Sequence, residues 1–340
     1  MSKYDIIGYV GTRDLGTLTE EDIQTLDVIN IAFANVKNDE VYWQDFGSDQ
    51  YIVRARAINP DIKFIISVGG WGAGGFSEAA ATPEGRENFA KTCVQIVQEH
   101  RLDGVDIDWE YPGYGVAGIG SSPDDKENFT LLIQRVRNEL DQLEDKHYML
   151  TIAVGAGSYY TDCTQMDKVQ EYLDYVQLMT YDMRGGFQVL TGHHANVYTP
   201  MGDLFKESVD NTVKGFYRAG VPYEKMVVGV AFYSRMWTNV PNVNNGYLQM
   251  AKSTGGYGPG YSQLVEEYID KNGYVRYWDN EAKAPYLFNG DTFISYDDPE
   301  SIVYKVDYMK KYGLRGIMYW EYKCDETHTL TGVIDQAIRG

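Results

Sequence analysis

The sequence predicts an α/β protein, a (β/α)8 TIM barrel with a small α+β insertion between strands seven and eight. Three observations carry that reading. Short β-rich runs recur eight times, with helical patterns between most of them. The runs are nearly continuous in apolar residues, which suits strands covered on both faces. No glycine-rich phosphate loop follows the first run, so the doubly wound open sheet, the main alternative, lacks its signature.

In order, the expected strands are 4–10 (YDIIGYV), 28–36 (VINIAFANV), 63–70 (KFIISVGG), 104–110 (GVDIDWE), 148–155 (YMLTIAVG), 175–182 (YVQLMTYD), 226–235 (MVVGVAFYSR) and 316–322 (GIMYWEY). Thr82-Pro83 opens a helix through His100 with a capping residue and proline at the first helical position. Ser122-Pro123 repeats the device for 124–143, and Asp298-Pro299 opens 300–312, which Gly313 ends. Gly220 closes the helical stretch 206–219. The barrel is assigned to 1–235 and 296–340, and the insertion to 236–295. That insertion is rich in Gly, Asn and Tyr, with a helix near 262–271 and strand-like segments at 274–278 (YVRYW) and 285–288 (PYLF). Its many aromatics argue against a disordered loop.

At 340 residues and 44% hydrophobic, the chain can bury a large core. Its formal charge of −19 repels nucleic acid and anionic membrane surfaces and suits a neutral or weakly cationic substrate, though it also simply favours solubility. Cys93, Cys163 and Cys324 are widely spaced and form neither a disulfide framework nor a thiolate zinc site; they are expected to be buried apolar fillers. The opening MSKYDIIGYVGTRD has no signal-peptide layout, and no apolar run approaches about 20 residues, so no membrane span is expected. A cytoplasmic protein and a secreted one with its leader removed both fit. No cofactor, no metal and no obligate partner are expected, and the chain is taken as a monomer. The 29 tyrosines exceed what a core needs, because each buried hydroxyl wants a partner.

The segment 103–110 reads DGVDIDWE. Asp106, Asp108 and Glu110 share one parity and Val105, Ile107 and Trp109 the other, so a strand here has an apolar face and a ladder of acids. Active sites of such barrels lie at the C-terminal ends of the strands. Those ends bring together Ser67 to Trp71, Glu110-Tyr111, Tyr181-Asp182, Tyr233, Arg235 and Trp320. Carboxylates for proton transfer, with aromatic planes for sugar faces, make the inventory of a carbohydrate-cleaving cleft. Asp108 and Glu110 sit ~6.5 Å apart at Cα on one strand. They approach a substrate from one side, unlike an acid and an opposing nucleophile. An exposed acidic edge strand, or a divalent-cation site built from Asp106, Asp108 and Glu110, is the competing reading.

The DxxDxDxE of 103–110, the SxGGW of 67–71, the MTYD of 179–182 and the late Trp320 together resemble the family 18 glycoside hydrolases, the chitinases. The order and spacing of these motifs cover nearly the whole chain. The resemblance implies Glu110 as general acid and later base, Asp108 as the residue that orients the substrate acetamido group, and Asp106 as the carboxyl beneath it. It implies that Tyr181 and Asp182 hold the N-acetyl group and scissile sugar over a Trp320 floor with Met179 nearby. Tyr9, Phe33, Ser67, Tyr233 and Arg235 complete the wall, and Trp71 and Tyr111 are further substrate-binding candidates. Asp103, of the other parity, is expected to organise the strand end. The seventh strand departs from the family, which commonly has Pro and Gly at the positions of Ala231 and Ser234.

The resemblance implies chitin or N-acetylchitooligosaccharides as substrate, cleaved with retention by the substrate's own acetamido group. An endo-β-N-acetylglucosaminidase on N-glycans or peptidoglycan, and a non-catalytic chitin-binding lectin, are the alternatives. Lectins of this barrel characteristically lose the acid at the position of Glu110, which is present here. Trp237 and Trp278, like Trp71, suit either core or sugar platform. His193 and His194 are expected in an exposed or locally hydrogen-bonded loop.

Overall fold

The structure, a computed structural model, describes residues 3–340. Eight parallel strands close on one another: β1 (Asp5–Gly11), β2 (Val28–Lys37), β4 (Lys63–Gly69), β5 (Gly104–Asp108), β6 (Met149–Gly155), β7 (Tyr175–Met179), β8 (Met226–Ala231) and β14 (Gly316–Trp320). Closure is direct, because β1 pairs with β2 on one side and β14 on the other. The short β3 (Glu40–Tyr42) extends β2 as an antiparallel flap. The expected TIM barrel is therefore present. No helix among the described residues is long and apolar enough to cross a membrane.

Parity along β5 is as the sequence alternation requires. Val105, Ile107 and Trp109 face the helical layer, where Trp109 is fully buried between Phe76 (5.4 Å, stacked) and Phe129 (5.8 Å, edge-on). Losing a buried tryptophan of this kind costs about 3–5 kcal/mol. Asp103 holds the foot of the strand. It accepts the Phe64 N–H (2.9 Å) and pairs with Arg56 (2.7 Å) and Lys146 (2.6 Å). Burial opposes its charge, yet these partners keep its carboxyl below the usual range.

Helix Pro83–Glu99 starts as expected, with the Thr82 side chain accepting from Gly85 N, and Pro299–Tyr312 carries a capping box between Asp298 and Ser301. The second proline signal misleads by two residues. Helix Asp125–Leu140 begins after a turn, because the Asp125 carboxylate accepts from Ser122 N and Gly113 N and from Ser77 Oγ.

The expected seventh strand is broken. Barrel pairing stops at Ala231, Phe232 donates its N–H to Trp320 O (2.8 Å), and the chain enters a second sheet. Nothing in the apolar run GVAFYSR announces this, since no glycine or proline lies at the break. The second sheet is antiparallel, in the order β10 (Gly256–Gly260), β9 (Tyr233–Trp237), β13 (Phe293–Ser295), β12 (Ala284–Phe288), β11 (Val275–Asp279). Tyr233 and Arg235 thus lie on β9. The helix expected near 262–271 shrinks to Tyr261–Gln263 and one wide turn, Leu264–Tyr268, of which only Tyr261 and Leu264 are buried.

Candidate active site

Inside the barrel the Asp106 carboxylate is fully buried and accepts four hydrogen bonds. Oδ1 takes Thr151 Oγ1 (2.7 Å) and Gln177 Nε2 (2.9 Å); Oδ2 takes Ser67 Oγ (2.7 Å) and the Tyr9 hydroxyl (2.9 Å). Strand register arranges this, since Ser67 and Thr151 are the direct neighbours of Asp106 on β4 and β6. Asn30 donates to Gln177 Oε1 (2.8 Å) and so orients the amide that donates to Asp106. Burial raises the Asp106 pKa, and the hydrogen bonds from Ser67, Thr151, Tyr9 and Gln177 oppose that rise.

Two residues on, Asp108 is also buried, and its Oδ1 has no hydrogen-bond partner in the protein. Burial, then the nearby Glu110 and Asp106 carboxyls, push its pKa well up. Glu110, just beyond the end of β5, is half-buried at the mouth. Burial raises its pKa to about 7, against a lowering hydrogen bond from Tyr111 and with a further raising contribution from Asp182. A carboxyl so placed holds a proton near neutrality.

Asp182 follows β7 in a left-handed backbone conformation (φ 56°). Main-chain pairing of β7 with β8 ends at Leu178; beyond it the Thr180 hydroxyl both donates to Gly229 O (2.8 Å) and accepts Gly229 N–H (2.9 Å). That splice carries Tyr181 and Asp182 onto the mouth. The Asp182 carboxylate is gripped from β9 by Arg235 Nε and Nη2 (2.6 and 2.5 Å) and by the Tyr233 hydroxyl (2.5 Å). Burial opposes its charge, but these donors and the Arg235 guanidinium charge hold its carboxyl well below the usual range. Replacing Arg235 by methionine is expected to return the Asp182 pKa toward or above 3.8. Activity should then decline at a higher pH on the acid side; an unchanged acid limb of the pH–rate profile would contradict this.

Aromatic planes line the mouth. Trp320 stacks on Phe33 (5.4 Å, 24°) and meets Tyr9 edge-on (5.7 Å). Tyr181 meets Tyr233 edge-on (6.0 Å), and its hydroxyl reaches Met318 Sδ (3.8 Å); Met179 packs in the same interior cluster. Trp71 is 56% exposed, between Tyr111 (6.3 Å) and the exposed Phe187 (6.1 Å). Peptides Ala32-Phe33, Glu110-Tyr111 and Trp320-Glu321 are cis, each bearing a cleft residue.

Several neighbours of the cleft were not singled out from sequence. Thr151 and Gln177 were legible in principle, as polar residues on the inner parity of apolar strands. Tyr257 of β10, 57% exposed, lies flat on Tyr233 (4.5 Å, 2°), and no local pattern marks it. His193 and His194 are not exposed: both are buried, His193 bonding Asp279 (3.0 Å) and His194 lying against Asp182. They are covered because the loop after β7 folds under the second sheet. Trp237 is core within that sheet, while Trp278 stacks on Tyr304 (5.8 Å). Cys93 is fully buried, but Cys163 and Cys324 are only half-buried, with Cys324 Sγ 4.0 Å from the Tyr257 hydroxyl.

The carboxylates of Asp106, Asp108 and Glu110 do not converge on a common point as cation ligands would. Among the described residues only Asp45, Asp49 and His100 do so, beside the C-terminal end of helix Pro83–Glu99.

A barrel that sets a carboxyl of raised pKa at a strand end, between aromatic planes, suits the breaking of glycosidic bonds, and this class, the glycoside hydrolases, is where the protein falls. Residues 5–325 match the family model of the glycosyl hydrolases family 18, and the chain belongs to that family. It is 40% identical to chitinase A1 of Niallia circulans over 306 residues, 84% of this chain and 44% of that protein. It is 30% identical to chitotriosidase-1 of Mus musculus, over 85% and 63% of the two. The chain thus spans less than two thirds of either relative. Among solved structures, a family 18 N-acetylglucosaminidase from Paenibacillus barengoltzii superposes with a TM-score of 0.97 at 57% identity, covering 98% of this chain and 99% of that one. The Group IV chitinase of Ostrinia furnacalis gives 0.87 at 28% identity, over 99% and 100%.

Proposed function

We propose that the protein hydrolyses β-1,4 bonds between N-acetylglucosamine units of chitin or chitooligosaccharides, with retention, using the substrate's acetamido group as nucleophile. The observation that carries this is the unpartnered, buried Oδ1 of Asp108 beside a Glu110 carboxyl raised to about 7. A buried acceptor without a donor costs free energy, and a substrate amide N–H is the donor that fits it. The other carboxylate at the mouth, Asp182, is already held bidentately by Arg235, so it is a poor candidate for an opposing nucleophile.

In this reading Glu110 gives its proton to the glycosidic oxygen as the C1–O bond breaks. The acetamido oxygen closes on C1, forming an oxazolinium whose N–H is held by Asp108. Glu110, now a carboxylate, takes a proton from water as that water opens the ring at C1, restoring the starting configuration. Asp106, fixed by its four donors, is the charge beneath Asp108. Tyr181 and Asp182 hold the N-acetyl group and the scissile sugar, Trp320 is the floor, and Met179, Tyr9, Phe33, Ser67, Trp71, Tyr111, Tyr233 and Arg235 shape the wall. The relatives named chitinase, and the one named N-acetylglucosaminidase, support this substrate class.

The test is incubation of wild type with N-acetylchitopentaose in EDTA, with products separated by chromatography. Cleavage supports metal-free acid chemistry, and release of single sugars rather than disaccharides would align the protein with the Paenibacillus barengoltzii relative. Binding without cleavage would sink the reading in favour of a lectin. Trp71→Ala is expected to raise KM for the pentamer roughly tenfold, the equivalent of about 1.4 kcal/mol of lost ring contact. Its kcat should change little, and a kcat loss with unchanged KM would show that Trp71 is not a sugar platform.

A further inference from the structure

We infer that His194, in its uncharged form, is a positioning residue for Asp182. It acts by accepting the Asp182 backbone N–H and thereby fixing the left-handed turn that aims the carboxylate into the cleft.

The loop that leaves β7 returns twelve residues later and is tied back at both levels of its chain. Asp182 N lies 3.4 Å from His194 Nδ1, nearer than the Asp182 Oδ1 at 3.6 Å and the only one of the two within hydrogen-bond distance, and Met183 donates its N–H to His194 O (3.1 Å). A backbone N–H can only donate, so Nδ1 is the acceptor and the ring proton resides on Nε2. An imidazolium would set a second N–H against that of Asp182. The ring is fully buried and edge-on to Tyr233 (5.5 Å), and the backbone N–H of His194 donates to Ser295 Oγ (2.9 Å) on β13. His194 is thus anchored to the second sheet while it holds a residue of the barrel.

The charged groups that act on it are Asp182 and Arg235, already paired with each other, and Asp297, paired with the buried Lys305. Burial, the largest influence, keeps the imidazole pKa below its usual value. The cost of the arrangement is visible in Nε2, which is buried with no partner. A leucine there would carry no unpaired nitrogen of its own, but it would leave the Asp182 N–H without its acceptor. The position therefore holds a residue that is worse for packing alone and better for Asp182, whose backbone adopts a conformation most side chains avoid.

Asp182 is assigned to the scissile sugar, so the kinetic part of the test rests on the proposed hydrolysis; an exchange measurement does not. His194→Leu and His194→Asn are compared with wild type, the asparagine carrying an amide oxygen close to the place of Nδ1. For His194→Leu the expected result is at least a tenfold fall in kcat on N-acetylchitopentaose, with KM within twofold. Protection of the Asp182 amide against hydrogen exchange should drop at least tenfold. His194→Asn should keep kcat within about threefold and keep the protection. On an Asp182→Asn background, His194→Leu should add less than twofold, since its effect runs through that carboxylate. Equal losses in both variants, tracking a fall in Tm, would reduce His194 to packing and overturn the inference. So would wild-type kcat and protection in His194→Leu. If wild type itself does not cleave the pentamer, the hydrolytic reading fails, and amide protection alone decides the role of His194.

Discussion

Glu110→Gln is expected to lower turnover of N-acetylchitopentaose by about 10³-fold while leaving its binding within a few-fold. General-acid participation is worth on the order of 10²–10⁴ in rate, and an amide of nearly the same shape cannot supply the proton. The pH dependence follows from the same carboxyl. With its pKa raised to about 7, Glu110 carries the proton below that pH, and wild-type kcat should decline as pH rises through about 7. Stability has its own sign. The folded protein holds a proton that the unfolded chain releases near 4.5, so the native state binds more protons between those two values. Stability is therefore lost as pH rises across that window and stays reduced above it. Glu110→Gln removes this liability and should be the more stable protein at pH 8, by on the order of 2 kcal/mol, but not at pH 4. Denaturant unfolding of both proteins at the two pH values checks this, and an equal difference at both would contradict it.

Asp106→Ala is expected to cost the most stability of any substitution at the site, on the order of 4 kcal/mol or more. The carboxylate satisfies Ser67, Thr151, Tyr9 and Gln177 at once, and alanine leaves four buried donors facing a void. Asp106→Asn should be far milder, about 1–2 kcal/mol. Its oxygen can keep Thr151 and the Gln177 amide, which can only donate through Nε2, while its NH2 turns toward Ser67 and Tyr9, whose hydroxyls can rotate to accept. Denaturant midpoints for the pair would test the assignment. Equal losses would mean that the hydrogen bonds matter less than the packing around them.

The acid ladder was legible because a strand alternates rigidly. Once 104–110 is read as β, Asp106 and Asp108 must face one way and Val105 and Ile107 the other, and the barrel interior is then the only place for the acids. The same parity carries Ser67 and Tyr9. The ends of elements were less legible. Phe232 leaves the barrel by a change of hydrogen-bond partner within an unbroken apolar run, and no residue type records that choice. Ser122-Pro123 has the form of a helix start, but the Asp125 side chain is engaged with Gly113 and with Ser77, which is distant in sequence. His194 and Tyr257 reach the cleft through loop closure and sheet pairing, which are long-range events. A histidine pair in a polar loop, or one tyrosine among 29, carries no local mark of such a destination.

Asp182 leaves the barrel and Arg235 sits on the neighbouring sheet, yet the two share a bidentate ion pair. That bond has a consequence for descent and for redesign. Neither unit owns a finished cleft, so a lineage could not shed the second sheet as ornament; the remaining barrel would inherit a stranded carboxylate at its mouth. Drift should be tolerated at the exposed turn of the β11–β12 hairpin, around Asn280, and resisted along β9. Anyone transplanting this segment into a cousin would have to move it as a cassette beginning no later than Tyr233, with the matching Asp182 already waiting in the host.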